Sequence, residues 1–186
     1  MPKHILILNG SPRHNGNTAN LISWLNNTLQ NAKHTVSQHD LYPLNFKGCK
    51  HCDACKKNSA KPACILQDDF TPILEDIVAA DIIVIASPIY CWSFSGCMST
   101  ALDRFYCLFK RKGPSLFAGK KFVGLFTAGG DYFDGMELCV TGLKELTQHG
   151  QAEYVGTVSA IFCDDKPMQE QKQRLTEALT DLVTKL

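Results

Sequence analysis

The sequence alternates short, uniformly apolar segments with segments whose apolar residues recur at helical spacing. Apolar runs of about four to eight residues are typical of strands that are buried on both faces. Between them, apolar residues such as Leu21, Leu25 and Leu29 stand four positions apart, as on one face of a helix. The pattern predicts five strands: Ile5–Leu8, His34–Leu41, Ile82–Ala86, Lys121–Thr127 and Tyr154–Phe162.

The predicted helices lie between these strands: Thr18–Gln30, a helix from Thr71-Pro72, Ser95–Phe109, Asp134–His149 and a last helix capped by Asp165. Alternating strands and helices form a parallel sheet with helices on both faces. We therefore expect a three-layer α/β sandwich with strand order 2-1-3-4-5 and an insertion at Tyr42–Phe70. Ligands of such folds bind at the carboxyl ends of the strands, here strands 1, 3 and 4. With no internal linker, residues 1–186 are expected to form one domain.

Charge and hydropathy argue against several classes of function. Nineteen basic and eighteen acidic side chains leave a net charge of +1, which argues against a general nucleic-acid or anionic-membrane binder. No apolar run approaches the roughly 18 residues of a membrane-spanning helix. The apolar part of the N-terminal segment is too short for a signal peptide. The sequence thus predicts a cytoplasmic protein.

The loop after the first strand, Asn9 to Thr18, is rich in small residues and opens a helix. N–H groups at a helix N-terminus, together with the helix dipole, bind anions. The loop is neither a Walker A motif nor a dinucleotide fingerprint, and it lacks the cysteine of a phosphatase loop. It is either a phosphate site or a plain strand-to-helix turn, and we predict a phosphate site. Its candidate residues are Ser11, Arg13, Asn17, Thr18 and Ala19.

A family resemblance rests on three motifs in order. The segment Ser11-Pro12-Arg13-x-x-Gly16-Asn17-Thr18 follows an apolar strand, Ser87 to Trp92 precede a helix that ends in Leu102-Asp103-Arg104, and a cysteine segment lies within Gly48–Asp69. Together they resemble the NADPH-dependent FMN reductases and the iron–sulfur flavoproteins of the flavodoxin-like superfamily. The resemblance covers most of the chain. It implies a flavodoxin-like fold, FMN as cofactor, NAD(P)H as co-substrate, and a homodimer or homotetramer.

The resemblance places the flavin ring at the third and fourth loops. Aromatic walls and backbone donors suit a flat ring with a polar edge, and paired glycines allow a close approach of the backbone. The alternatives are half-buried loop aromatics and a plain turn. The candidate residues are Pro88, Ile89, Tyr90, Cys91 and Trp92 in the third loop, and Thr127, Ala128, Gly129 and Gly130 in the fourth.

Nine cysteines are many for a reducing compartment, and an odd number fits a disulfide framework poorly. Four of them have the spacing C-x2-C-x2-C-x8-C: Cys49, Cys52, Cys55 and Cys64. Four thiolates suit a [4Fe–4S] cluster or zinc, and reductases that resemble this chain also keep such cysteines without a metal. The last gap is longer than in the iron–sulfur flavoproteins, so Cys64 is the ligand most in question. All three alternatives stay open, with zinc the least favoured.

The residues around and beyond the motif have plainer expected roles. We expect the lysines near the cysteines (Lys47, Lys50, Lys56, Lys57 and Lys61) to form a solvated surface. The remaining scattered cysteines (Cys97, Cys107, Cys139 and Cys163) are expected to pack in the core. Asp103 and Arg104 are candidates for a structural ion pair or for a contact with a partner subunit.

Three functions follow from these observations. The first is a flavin oxidoreductase that takes hydride from NADH or NADPH and passes it through FMN to a second acceptor, which is a small molecule or a protein. The second is an electron carrier with FMN and a [4Fe–4S] cluster on the four cysteines. The third is a zinc-stabilised binding domain, which would leave the loops after strands 1 and 3 without a purpose. We predict the oxidoreductase, with the electron carrier as its alternative.

Overall fold

The computed structural model describes residues 1–57 and 62–186. Its strands are β1 (His4–Asn9), β2 (Thr35–Asp40), β3 (Ile82–Tyr90), β4 (Ser93–Phe94), β5 (Lys121–Thr127) and β6 (Glu153–Ala160). Its α-helices are α1 (Asn17–Asn31), α2 (Thr71–Ala79), α3 (Gly96–Arg104), α4 (Met136–His149) and α5 (Met168–Val183). Two short 3-10 helices lie at Ala54–Lys57 and Phe105–Leu108.

The sheet has the order β2-β1-β3-β5-β6, and these five strands are parallel. This confirms the predicted order, which was numbered 2-1-3-4-5 because the short β4 was not expected. Strand β4 pairs antiparallel with the end of β3 and extends the sheet at its carboxyl edge. Because parallel strands end at one edge, the loops after β1, β3 and β5 are brought together there.

Two apolar cores lie on the two faces of the sheet. Helices α1 and α5 cover one face with side chains such as Leu21, Leu25 and Leu175. The other face carries the larger core, to which α2, α3 and α4 contribute, as with Ile73 and Leu143. The central strands are buried on both faces, which is why their sequences are continuously apolar. The predicted three-layer sandwich is confirmed.

Several element boundaries differ from the prediction, each for a local reason. Helix α3 ends at Arg104, since Phe105 N–H bonds back to Leu102 and Asp103 and tightens the chain into a 3-10 helix. The predicted cap at Asp165 is wrong: α5 starts at Met168, and Pro167 precedes it with a φ of −52°, a position that proline tolerates.

Among residues 1–57 and 62–186, no helix is both long enough and apolar enough to cross a bilayer. The cytoplasmic location stays a prediction.

Candidate functional site

The loop after β1 presents the N-terminus of α1 at the carboxyl edge of the sheet. Asn9 turns the chain by accepting the N–H of Ser11 on its side-chain oxygen, at 3.0 Å. Gly16 caps α1 without a side-chain hydrogen bond, and Asn20 makes the first helical bond, to Gly16 O, at 3.1 Å. The N–H groups before Asn20 have no intrahelical acceptor, and no acidic side chain lies in this first turn. The loop therefore has the features of an anion site.

The predicted residues of this loop divide into two roles. The guanidinium of Arg13 is exposed and belongs to none of the ion pairs in the part of the chain that the structure describes. Ser11 is buried, and its Oγ accepts the N–H of Arg13 at 3.3 Å. Thr18 is also buried, and its hydroxyl bonds that of Thr127 at 2.9 Å. Thr18 thus ties α1 to the end of β5, whereas Arg13 is available to a ligand.

The third loop is a tight hairpin, which the sequence did not predict. Strand β3 continues through Pro88, Ile89 and Tyr90, and β4 folds back on it, with Ile89 opposite Phe94. Strand β3 therefore runs past its predicted end at Ala86 and includes the first residues of the expected third loop. The physical reason is that pairing with β4 gives the backbone of β3 partners beyond the end of β1.

Cys91 and Trp92 form the two-residue turn of this hairpin. Both have left-handed backbone conformations, with φ of 48° and 60°, as a type I′ turn requires. A left-handed conformation costs a residue other than glycine about 1 kcal/mol. The turn places Trp92 on the surface with 64% of its side chain exposed, beside Tyr90 with 41%.

The fourth loop is held on both sides by backbone hydrogen bonds. Ala128 donates to Ala160 O and accepts from the N–H of Cys163, each at 2.9 Å. Gly129 packs so closely on the Asp164 carboxylate that a Cβ would overlap it, and Gly130 packs in the same way on Asp134. Both aspartates are exposed, so a side chain at either glycine would require the carboxylate beside it to move.

Two glycines missed by the sequence analysis bring the three loops together. Gly10 packs on the start of α3, where a Cβ would lie 2.7 Å from Ser95 Oγ, and the thiol of Cys97 donates to Gly10 O at 3.2 Å. Gly135 has a φ of 99°, and a Cβ on it would overlap the backbone of Trp92. The sequence does mark both glycines as turn positions, since each directly follows an Asn or Asp in a loop. Loops 1 and 3 meet at Gly10, and loops 3 and 4 meet at Gly135.

The four cysteines of the motif line one small cavity of about 10 Å³, which we call the cysteine cavity. Its lining includes Arg104 and Tyr106, together with Cys49, Cys52, Cys55, Cys64 and Cys107. The prediction for Cys107 is thus incomplete: it is buried, as expected, but it packs beside the motif. Across the described ranges, no three His, Cys, Asp or Glu side chains are grouped closely enough to hold a single metal ion.

The donor set suits a cluster better than zinc. Zinc holds all four ligands on one ion, whereas a [4Fe–4S] cluster spreads its thiolates over four irons and needs more space between them. The backbone around Cys52 is unusual, since His51 and Asp53 have φ of 52° and 56°. The N–H of His51 donates to Cys49 Sγ at 3.3 Å. The chemistry of four cysteine thiols around one cavity is therefore suited to a cluster rather than to a single zinc ion.

Side chains from the end of α3 and the following segment anchor the cysteine insertion. Arg104 Nη1 donates to Asp68 Oδ2 at 2.6 Å and to Lys47 O at 3.0 Å. Arg104 is therefore part of a structural ion pair, but its partner is Asp68 and not the adjacent Asp103. Asp103 instead contacts Gly48.

A second anchor surrounds Asp53, whose carboxylate accepts the hydroxyl of Tyr106 at 2.8 Å and pairs with Arg111. The Tyr106 hydrogen bond is the main reason that the pKa of Asp53 lies below its ordinary value. Lys56 is not on a solvated surface, since its Nζ donates to Tyr106 O and Phe109 O at 2.5 and 2.6 Å. Lys61, also expected on that surface, lies outside the described residues.

Burial keeps several thiols protonated. It raises the pKa of Cys107 to about 12 and that of Cys139 to about 11. Desolvation also raises the pKa of Cys55, and the neighbouring Cys64 and Cys49 add to the effect. Cys139 is a packing residue, as predicted. Cys163 also packs against the core, as predicted. It follows β6, and its N–H donates to Ala128 O in the fourth loop.

The comparisons with known proteins agree with this architecture. A family model described as NADPH-dependent FMN reductase matches residues 4–162. An iron–sulfur flavoprotein of Methanocaldococcus jannaschii is 31% identical over 139 residues, which are 74% of this chain and 67% of that protein.

Solved structures support the fold. An NAD(P)H:quinone oxidoreductase from Methanothermobacter marburgensis has a TM-score of 0.72 at 19% identity, covering 98% of both chains. An FMN-dependent NADH-azoreductase from Bacillus anthracis, in complex with FMN, has a TM-score of 0.70 at 15% identity, covering 97% of this chain and 98% of that one. The family match spans β1 through the end of β6 and so contains all three loops of the candidate site. The chain belongs to the NADPH-dependent FMN reductase family, which confirms the predicted family and oxidoreductase class.

Proposed function

We propose that this chain binds FMN at the carboxyl edge of its sheet and passes hydride from NAD(P)H to a second acceptor. The observation that carries the proposal is the convergence of the three loops after β1, β3 and β5, which are joined by Thr18–Thr127, Gly10–Cys97 and Gly135–Trp92 contacts. The family match supports FMN and the reductase reaction.

The phosphate of FMN would lie on the first loop. The N–H groups of the first turn of α1 and the guanidinium of Arg13 are donors without a competing partner on an acidic side chain. A charged fork and helix N–H groups bind a phosphate dianion well. Ser11, Asn17, Thr18 and Ala19 would hold the loop and its N–H groups in place.

The ring would lie against the hairpin and the fourth loop. Four exposed aromatic side chains stand on these two segments: Tyr90, Trp92, Tyr132 and Phe133. Their apolar faces can cover a flavin and a nicotinamide and exclude water. Pro88, Ile89, Cys91 and Thr127–Gly130 would contribute backbone and shape. When bound, FMN accepts a hydride and gives it up again, so the reaction needs no side-chain acid or base.

Titration of the purified protein with FMN tests the proposal directly. We expect tight binding with a perturbed flavin spectrum, followed by NADH or NADPH oxidation with a quinone as acceptor. Arg13→Ala should weaken FMN binding about 10-fold, as expected for one charge-assisted hydrogen bond. Lys185→Ala is a matched control, because it removes the same charge near the opposite edge of the sheet, where Lys185 lies beside Lys121 at the start of β5. Absence of FMN binding would overturn the proposal.

A second function, electron transfer through FMN and a [4Fe–4S] cluster, is favoured by one specific observation. The four motif cysteines line a single cavity, and curated relatives from several organisms are named iron–sulfur flavoproteins. Cys49, Cys52, Cys55 and Cys64 would hold the cluster, which would supply one-electron chemistry. Anaerobic purification and iron analysis test it: about four irons per chain support the cluster, whereas flavin without iron excludes it. Homodimer or homotetramer formation, implied by the family resemblance, stays a prediction.

A further inference from the structure

Arg104 is the most deeply buried charged side chain of the molecule, with 1% of its surface exposed. Only one of its three nitrogens has partners: Nη1 donates to Asp68 and to Lys47 O. Nε and Nη2 are buried and have no hydrogen-bond partner among residues 1–57 and 62–186. Unpaired buried donors of a charged group cost folding free energy.

The position of Arg104 indicates what these donors serve. The side chain lines the cysteine cavity together with Cys49, Cys55 and Cys64, and the ring of Phe70 lies 5.6 Å from its Cζ. The carboxylate of Asp68 compensates the charge of Arg104 on the side that faces the insertion. The two remaining nitrogens, Nε and Nη2, carry donors that lack an acceptor. Cysteines supply half of the other residues that line this cavity.

We propose that Arg104 donates hydrogen bonds from Nε and Nη2 to the sulfur atoms of an anionic iron–sulfur group in the cysteine cavity, and so sets its reduction potential. This inference rests on the proposed cluster and deepens it. Hydrogen bonds to sulfur withdraw negative charge and favour the more negative, reduced form, which raises the potential. Arg104 acts as a positioning residue: it is no ligand and transfers no electron.

The test compares the midpoint potential of the cluster in wild-type protein and in Arg104→Lys. Lysine keeps the positive charge for Asp68 but cannot donate in the two additional directions. Samples are reconstituted anaerobically with iron and sulfide and titrated with dithionite, with the reduced cluster followed by electron paramagnetic resonance. We expect a lower cluster potential in Arg104→Lys and an unchanged flavin potential. Arg111→Lys is the matched control. Arg111 forms a more exposed pair with Asp53 of the same insertion, and the variant should leave both potentials unchanged.

A measurement on the wild type avoids any folding defect of the variant. Protein labelled with nitrogen-15 arginine should show nitrogen coupling to the reduced cluster in pulsed paramagnetic resonance. Equal potentials in the wild type and Arg104→Lys, or absence of that coupling, would overturn the role of Arg104 while leaving the cluster in place. Absence of iron uptake would overturn both, and intact flavin reduction by NAD(P)H would show that the reductase function stands.

Discussion

The carboxyl edge of the sheet and the cysteine insertion are held in place by different forces. At the sheet edge, the three loops follow directly from parallel strands, and close contacts of glycine backbone join them, as at Gly10 and Gly135. The insertion is held by side chains from outside it, above all Arg104 and Tyr106. We infer that steric changes damage the first region most, whereas loss of charge or of a hydrogen bond damages the second.

The largest effect is expected from Asp68→Asn in the insertion. The variant keeps the shape of the side chain but leaves the buried charge of Arg104 without its counter-ion, and breaking a buried pair costs about 3 kcal/mol of unfolding free energy. Urea unfolding measures it. Asp181→Asn removes one partner of the exposed pair with Lys185 and should cost less than about 1 kcal/mol. Equal costs for the two variants would show that charge does not anchor the insertion.

At the sheet edge, Gly135→Ala should be the most harmful change. A Cβ would overlap the backbone of Trp92, and the φ of 99° is unfavourable for alanine, so we expect a loss of about 2 kcal/mol of stability and weaker FMN binding. Gly142→Ala, inside the helix that Gly135 precedes and with open space around it, should stabilise by up to about 1 kcal/mol. Thermal unfolding and flavin titration of both variants measure these effects. If Gly135→Ala kept the stability and the FMN affinity of the wild type, close packing of the loops would be refuted.

The hydroxyl pair between Thr18 and Thr127 should contribute less. Thr18→Val and Thr127→Val each leave a buried hydroxyl without its partner and should cost about 1 kcal/mol. In the double variant the costs should not add, because both variants break the same bond. A double-mutant cycle with urea unfolding measures the coupling, and strict additivity would exclude this link between α1 and β5.

The smallest effect is a pH dependence in the insertion. The folded-state pKa of Asp53 is lowered, mainly by the hydrogen bond from Tyr106, so its contribution is present above the unfolded-state pKa. It is lost as the pH falls through the folded-state pKa. Stability measured from pH 7 down to pH 3 should therefore fall less steeply in Asp53→Asn than in the wild type. Parallel curves would show that this carboxylate does not anchor the insertion.

The sequence by itself determined the sheet and brought the candidate loops to one edge of it. Continuous apolar runs occur where strands are buried on both faces, and a parallel strand order places the loops after β1, β3 and β5 at one edge. The start of α1 after the first loop was predictable from local sequence, whereas phosphate binding by Arg13 and Thr18 stays a prediction.

Only the tertiary structure decided how the loops are held and what surrounds the cysteines. The hairpin of Cys91 and Trp92 depends on pairing between β3 and β4, and nothing in two residues without glycine announces a type I′ turn. The partner of Arg104 is Asp68, 36 positions away, and not the adjacent Asp103. Cys107 joins the motif cysteines for the same reason. Such contacts are set by chain packing over long separations, which the spacing of residues along a sequence does not record.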